Sequence, residues 1–335
     1  MKKHEAPLDL YPAVPFSDIL EKTNVKDEER SMSKETEKIF KEVQKYIDEN
    51  TDGEPTEEEL NELIRKFVDD YNGQIPGPLT PDNAEDAEDY LELAYSSDNA
   101  KDALKYAKQA LKLDPFNYDA EALVIEFKST DVTKLVRDYE KAVKNATKHM
   151  DEEGYFEEEN IGDFWAILET RPYMRLRRAY LDALVNCRMM RRAEEECKEL
   201  LRLCENDNMG VRFVLMHIYA YFEDEAGALE LSEKYGGYDN TQILLPMSVI
   251  FYKKGNYVKS RQYLKRLVSR NKDFVRFAKM LVGDSSDELD DIDVSYSYTP
   301  NTIEELVIEM QDNLYLFVDL IPYFDWALRE AKKFK

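Results

Sequence analysis

The sequence predicts an all-α protein built from antiparallel helical hairpins arranged in series. Three observations predict it. Segments beginning at residues 174, 209 and 241 share one plan, and these starts lie 35 and 32 residues apart, the spacing of a repeated helix pair. Small side chains recur where the two helices of a hairpin cross: Ala103, Ala107 and Ala110 in the segment 84–117, then Ala193 and Ala228. The 335 residues are 43% hydrophobic yet contain only 11 Gly and 12 Pro, too few turn formers for a β fold.

The elements follow in chain order. Residues 1–30 read as a poorly ordered strap, with Leu8, Leu10, Tyr11, Val14, Phe16, Ile19 and Leu20 available to dock on a neighbouring surface. Residues 31–72 form an N-terminal helical pair. Ser33 can cap its first helix (33–50), in which Ile39, Val43, Tyr46 and Ile47 share a face. Thr56 opens its second helix with Glu59 three residues on, the reciprocal pairing of a capping box, ahead of the stripe Leu60, Leu63, Ile64, Phe67 and Tyr71. Residues 73–83, rich in Pro, are a linker.

Residues 84–283 carry the repeats. The first, 84–117, ends at Asp114-Pro115, where proline stops a second helix. Residues 118–153 hold an overlong hairpin. Ala120, Leu123, Val124 and Phe127 line its first helix, and Val136, Tyr139, Val143, Ala146 and Met150 its second. In the repeat beginning at 241, Phe251 to Tyr257 predicts a tight turn at Gly255, with Tyr257 packing beneath the hairpin. This is the tetratricopeptide pattern, and it predicts a right-handed α-solenoid of about five such hairpins. A further helix ends near Gly283, and an acidic loop spans 284–301. The C-terminal capping helices, 302–335, begin at Thr302 with Ile303, Leu306, Val307, Met310, Leu314 and Phe317 on one face, and Pro322 is expected to kink or break them.

Charge narrows the function. There are 46 basic and 70 acidic residues, a net charge of −24, which disfavours whole-surface attraction to nucleic acid or anionic lipid. Two basic islands stand out: Arg171 to Arg192, and Lys253 to Lys279. They read first as internally paired, against the six acids of 284–293 and the 20 acidic residues within 1–80. An acidic peptide is the other reading. A nucleic-acid backbone is disfavoured because interleaved exposed aromatics and glycine motifs are lacking. Cys187, Cys197 and Cys204 make no CxxC and fit a reducing compartment, as buried small side chains. The first residues lack the apolar core of a signal peptide. The longest apolar run, Ile243 to Tyr252, is about half of the ~20 residues a membrane span needs. A cytoplasmic location is expected.

The runs Gly162-Asp163-Phe164-Trp165, Glu169-Thr170-Arg171-Pro172-Tyr173 and Asn206-Asp207-Asn208-Met209-Gly210 are the most distinctive of the chain. Through them, residues 84–335 resemble a bacterial family of tetratricopeptide proteins sometimes grouped with suppressor-of-tumorigenicity-type proteins. The resemblance implies the solenoid and a cytosolic location, and no activity. The candidate partner-binding residues are Trp165, Arg171, Tyr173, Arg175, Arg178, Arg212 and Arg261. Arginine suits the task because its planar fork grips a carboxylate with two parallel hydrogen bonds. In the structural reading of the same stretch, Thr170 caps a helix with Pro172 in its first turn, and Arg171 ties the preceding loop to its neighbour.

Catalytic, cofactor and metal residues are not predicted. His4, His149 and His217 sit in no metal or triad motif. The acids of 284–293 have the wrong spacing for a calcium loop and lack its glycine. The expected function is a non-enzymatic scaffold or adaptor that binds an extended peptide or helix on the concave face, an acidic peptide being among the candidates. A peptide-sensing regulator and a hydrolase with an unrecognised acidic pair are the alternatives.

Overall fold

A computed structural model describes residues 37–334 apart from 38, 48, 52–54, 74–78, 237–238, 284–285, 290, 293 and 295–297. The strap 1–30, the Ser33 cap and parts of the acidic loop therefore lie outside the described residues. Those described are all-helical, with β geometry confined to isolated bridges. No helix among them is long and apolar enough to cross a membrane. The chain divides into two compact units: Met1–Met150 with Ala166–Leu176, and Asp151–Trp165 with Arg177–Lys335.

In the first unit, residues 39–47 are helical and precede α1 (Glu57–Gly73). The capping box closes as expected: the Thr56 N–H donates to Glu59 Oε2 at 2.9 Å and the Glu59 N–H to Thr56 Oγ1 at 3.4 Å. Helices α2 (Ala87–Tyr95) and α3 (Ala100–Leu113) pair through the alanines at 103, 107 and 110, all buried. Lacking bulk there, the two backbones approach closely. Leu91, Ala94, Ala120 and Leu123 complete this core, and Tyr90, Tyr106 and Phe127 flank it. Helices α4 (Tyr118–Lys128) and α5 (Val132–Glu152) form the long hairpin, burying Ala120, Leu123 and Val124 on one side and Val136, Tyr139, Val143, Ala146 and Met150 on the other. Asp86, Asn99, Asn117 and Asp131 each accept a hydrogen bond from a first-turn N–H, which sharply fixes where these helices begin. Helix α6 (Arg171–Asn186) contributes its residues up to Leu176 to this unit.

The second unit contains the rest of α6, then α7 (Met190–Leu203), α8 (Val211–Phe222), α9 (Glu225–Lys234), α10 (Thr241–Lys253), α11 (Tyr257–Arg270) and α12 (Phe274–Val282). Three turns, after α6, α8 and α10, are built alike. Arg188, Glu223 and Gly255 adopt positive φ of 58°, 59° and 73°. In each case the next residue's N–H reaches the carbonyl five residues back: Met189 to Leu184, Asp224 to Tyr219, and Asn256 to Phe251. Ala193 and Ala228 are fully buried at the crossings. In the α10–α11 hairpin serines take this place. Ser260 Oγ donates to the Ser248 carbonyl at 2.7 Å and Ser248 Oγ to the Ser260 carbonyl at 3.1 Å. Tyr257 does not pack beneath its hairpin. It is 49% exposed as the first residue of α11, at the margin of a cluster with Tyr252 and Trp326.

The C-terminal helices differ from expectation in where they break. α13 (Ile303–Asp312) stops at Asn313, whose Nδ2 donates to the Glu309 carbonyl at 3.0 Å and whose Oδ1 accepts from the Tyr315 hydroxyl at 3.0 Å. A short α14 (Leu314–Phe317) follows. Pro322 does not break a helix. It lies in the first turn of α15 (Ile321–Ala331), where a missing N–H leaves no intrahelical bond unmade.

Candidate functional site

The site is assembled in the first unit, where α4, α5 and the start of α6 meet. The Asn117 cap opens α4 so that Ala120 and Leu123 face inward, and this carries Asp119 inside with them, 6% exposed. Pro172 presets the first turn of α6. Tyr173 and Met174 on that turn are fully buried, and Arg171 and Arg175, four residues apart, share a face. Two polar contacts tie α6 and α4 to α5. The Tyr173 hydroxyl lies 2.8 Å from Thr147 Oγ1, and the Tyr118 hydroxyl lies 2.7 Å from His149 Nδ1. The Tyr118 ring meets Tyr173 edge-on, and Phe116 stacks on His149 at 3.5 Å.

Arg175 then divides its donors between two carboxylates. Its Nε and Nη2 donate to Asp119 Oδ1 and Oδ2 at 2.9 and 2.7 Å, a side-on fork. Its Nη1 donates to Glu37 Oε1 and Oε2 at 2.8 and 3.0 Å, and Arg171 Nη1 reaches the same Glu37 Oε1 at 3.4 Å. The side chains are 16% (Arg175), 8% (Asp119), 6% (Glu37) and 21% (Arg171) exposed, so the four charges interact largely out of water. Burial pulls the Arg175 pKa down. The carboxylates of Asp119 and Glu37 more than offset this and hold the guanidinium above its ordinary value, permanently charged.

The other candidate residues have separate surroundings. Tyr173, a candidate for partner binding, is fully buried and presents no surface to a partner. Trp165 is half-buried in the second unit. Arg178 donates through Nη1 to the Met209 carbonyl at 2.8 Å and through Nε to Asp182 at 3.0 Å. Arg212 donates to Asp207 Oδ2 at 2.8 Å, while Asp207 also takes the N–H groups of Val211 and Arg212 at the start of α8. Arg261 pairs with Glu330 Oε2 at 2.6 Å. Arg178 and Arg212 are thus occupied in holding the 204–210 loop. The first distinctive run serves the same loop. The Gly162 carbonyl accepts from the Glu205 N–H at 2.8 Å, and the Phe164 N–H donates to the Leu203 carbonyl at 3.0 Å. Gly162 has φ +105°, and a Cβ there would lie 3.2 Å from Glu205 Cγ, so glycine is needed.

Both basic islands are extensively paired. Arg177 forks onto Glu196 at 2.6 and 2.9 Å, Lys254 and Lys259 both reach Glu225, and Arg266 pairs with Asp239. These acids come from neighbouring helices and connections of the same unit.

Sequence reasoning missed several participants. Glu37 and Asp119 carried no motif signal. His217 and Glu309 form a buried pair in the second unit, with Nε2 and Oε1 2.8 Å apart and side-chain exposures of 1% and 0%. His217 Nδ1 lies 2.7 Å from the Phe213 carbonyl, which can only accept, so Nδ1 carries a hydrogen. The Nε2–Oε1 contact likewise needs a hydrogen between its two atoms to be a hydrogen bond. No group of three or more His, Cys, Asp or Glu able to hold a metal occurs among the described residues. All three cysteines are thiols, with Cys197 and Cys204 buried. No protein-family profile matches the chain, and no curated protein matches it.

Proposed function

We propose that this chain is a tetratricopeptide-like array of helical hairpins that works without catalysis, as a scaffold taking an extended peptide or helix from a partner protein. The observation that carries the reading is the recurrence of one turn geometry at Arg188, Glu223 and Gly255, spaced 35 and 32 residues apart. This is the period of the sequence repeats, and it supports a fold in which each hairpin stacks on the next. Arrays of this kind offer long surfaces on which peptides dock, and the functional step rests on that analogy of fold. The mostly buried Arg171–Arg175 pair supports an acidic partner, because a desolvated guanidinium discriminates strongly for carboxylate.

Affinity capture tests the reading, using tagged full-length protein in extract of its own cells, with and without nuclease, beside Arg171→Ala. A protein partner that survives nuclease and is lost in the variant supports it. Capture of no protein at low salt removes the scaffold reading.

A further inference from the structure

We infer that Tyr252, Tyr257 and Trp326 form a binding site for a proline-rich segment of a partner protein, taken in the extended polyproline II form. This rests on the peptide-binding reading above and gives it a site in the second unit and a ligand class.

The three rings come from α10, α11 and α15, which lie wholly within the described residues. Each ring meets the other two. The centroids of Tyr252 and Tyr257 are 5.7 Å apart, those of Tyr252 and Trp326 5.2 Å, and those of Tyr257 and Trp326 6.0 Å. The planes are inclined by 68°, 45° and 41°, so the rings form ridges with notches between them, not a flat stack. Fully buried Tyr323 ties the cluster to the core, 5.3 Å from Tyr252 and 5.9 Å from Trp326. Tyr257 is 49% exposed, and Tyr252 and Trp326 are half-buried. Apolar surface continues on Val258, 65% exposed, and on exposed Pro322, one turn before Trp326.

The chemistry left unused in this cluster selects the ligand. Among the described residues, the Tyr252 and Tyr257 hydroxyls and the Trp326 indole N–H have no hydrogen-bond partner, and no cation lies over these rings. Other aromatic faces of the same unit are taken by the chain's own cations. Arg191 lies 3.6 Å from the Phe222 centroid, Lys259 4.7 Å from that of Phe251, and Arg266 5.4 Å from that of Tyr263. The ions bordering the cluster are matched to one another. Arg261, one turn after Tyr257, donates to Glu330 Oε2 at 2.6 Å, Asp325 beside Trp326 pairs with Arg329, and Lys259 reaches Glu225 at 3.2 Å. A neutral ligand therefore complements the site better than an acidic or basic one. Bare ring faces and three free donors suit proline. Its ring packs flat on an aromatic face, and a polyproline II backbone makes no internal hydrogen bonds, so its carbonyls are free to accept from the indole N–H and the hydroxyls. That backbone is already extended before binding, so little ordering entropy is lost.

The test is fluorescence anisotropy with fluorescein-labelled decaproline, beside a Gly-Ser decapeptide, on full-length wild type, Tyr257→Ala, Tyr257→Phe and Trp326→Phe. Far-UV circular dichroism checks that each variant folds. Decaproline should bind wild type, and the Gly-Ser peptide should not. Affinity should fall at least about tenfold in Tyr257→Ala, which loses a ring, and about threefold in Tyr257→Phe and Trp326→Phe, which each lose a donor and keep a ring. Absence of decaproline binding to wild type, or equal binding by all four proteins, overturns the site. Binding of tetramethylammonium in place of decaproline also overturns it, by assigning the rings to a cation. Self-association in the ultracentrifuge that Tyr257→Ala abolishes does so too, by assigning them to a second copy. A partner protein captured equally by wild type and Tyr257→Ala, with no decaproline binding, removes this site and leaves the peptide-binding reading standing.

Discussion

Arg175 bridges two carboxylates drawn from 56 and 138 residues away in the chain. Arg175→Ala takes the side-on fork from Asp119 and leaves Glu37 with the longer contact to Arg171, and denaturant unfolding should show a loss of about 3–5 kcal/mol. Arg175→Lys should recover only part of this, since a single ammonium cannot reproduce the fork to Asp119 while reaching Glu37. The His217–Glu309 pair behaves differently, because its neutral form has an isostere. Burial pushes the Glu309 carboxyl above its ordinary range, with the histidine partly opposing that shift. A carboxyl whose pKa is raised by folding contributes stability that is fully present below its unfolded pKa and is lost as pH rises through the raised folded value. Glu309→Gln places an amide N–H where the Nε2–Oε1 contact needs its hydrogen. Its stability should therefore exceed wild type at neutral pH, with wild type gaining on it and the two converging as pH drops towards about 4. A wild-type-minus-variant difference that does not grow towards acid pH rejects this account. The arginines of both basic islands were legible as clusters in an acidic chain. Their partners were not, because 70 acidic residues offer too many choices and a sequence does not say which ones fold back.

At the scale of the helix and its turn, the repeated positive-φ position gives opposite expectations for two similar substitutions. Glu223 adopts φ 59° with a side chain, and its ion pair with Lys253, at 3.5 Å, is solvent-exposed. Glu223→Gly should stabilise by about 0.5–1 kcal/mol, because the left-handed region costs a side chain roughly that much. Gly255 adopts φ 73°, and a Cβ added there would find nothing within 4 Å, so Gly255→Ala meets no clash and should still destabilise by about 1 kcal/mol. Thermal melts of the two variants, moving in opposite directions, check the shared geometry. The hairpins were legible because alanines at the crossings are a local signal. The Ser248–Ser260 crossing was hidden because serine reads as a surface residue until its hydroxyl finds a buried carbonyl. The break at Asn313 was hidden for a related reason. Its apolar neighbours keep helical spacing on both sides, and the break shows only in the bonds of the Asn313 side chain, to the Glu309 carbonyl and from the Tyr315 hydroxyl.

Over the whole molecule, a net charge of −24 works against compactness even though many individual cations are paired. Added salt screens that repulsion more than it weakens the buried forks, which lie outside the reach of mobile ions. The melting temperature should therefore rise by about 2–4 °C between low and physiological ionic strength, measurable by circular dichroism; a fall would mean that exposed pairs dominate. The total charge was readable from composition, whereas its partition into buried and exposed pairs required the fold. The Cys197 thiol has a consequence of its own. It lies fully enclosed on α7, and burial raises its pKa well above the ordinary thiol value, with Arg178 only partly opposing that. In the closed protein it is therefore inert to thiol-specific dyes, while half-buried Cys187 and any opened molecule are not. Its labelling rate is a native clock for how often the helix pair around it comes apart, and it runs without any engineered probe.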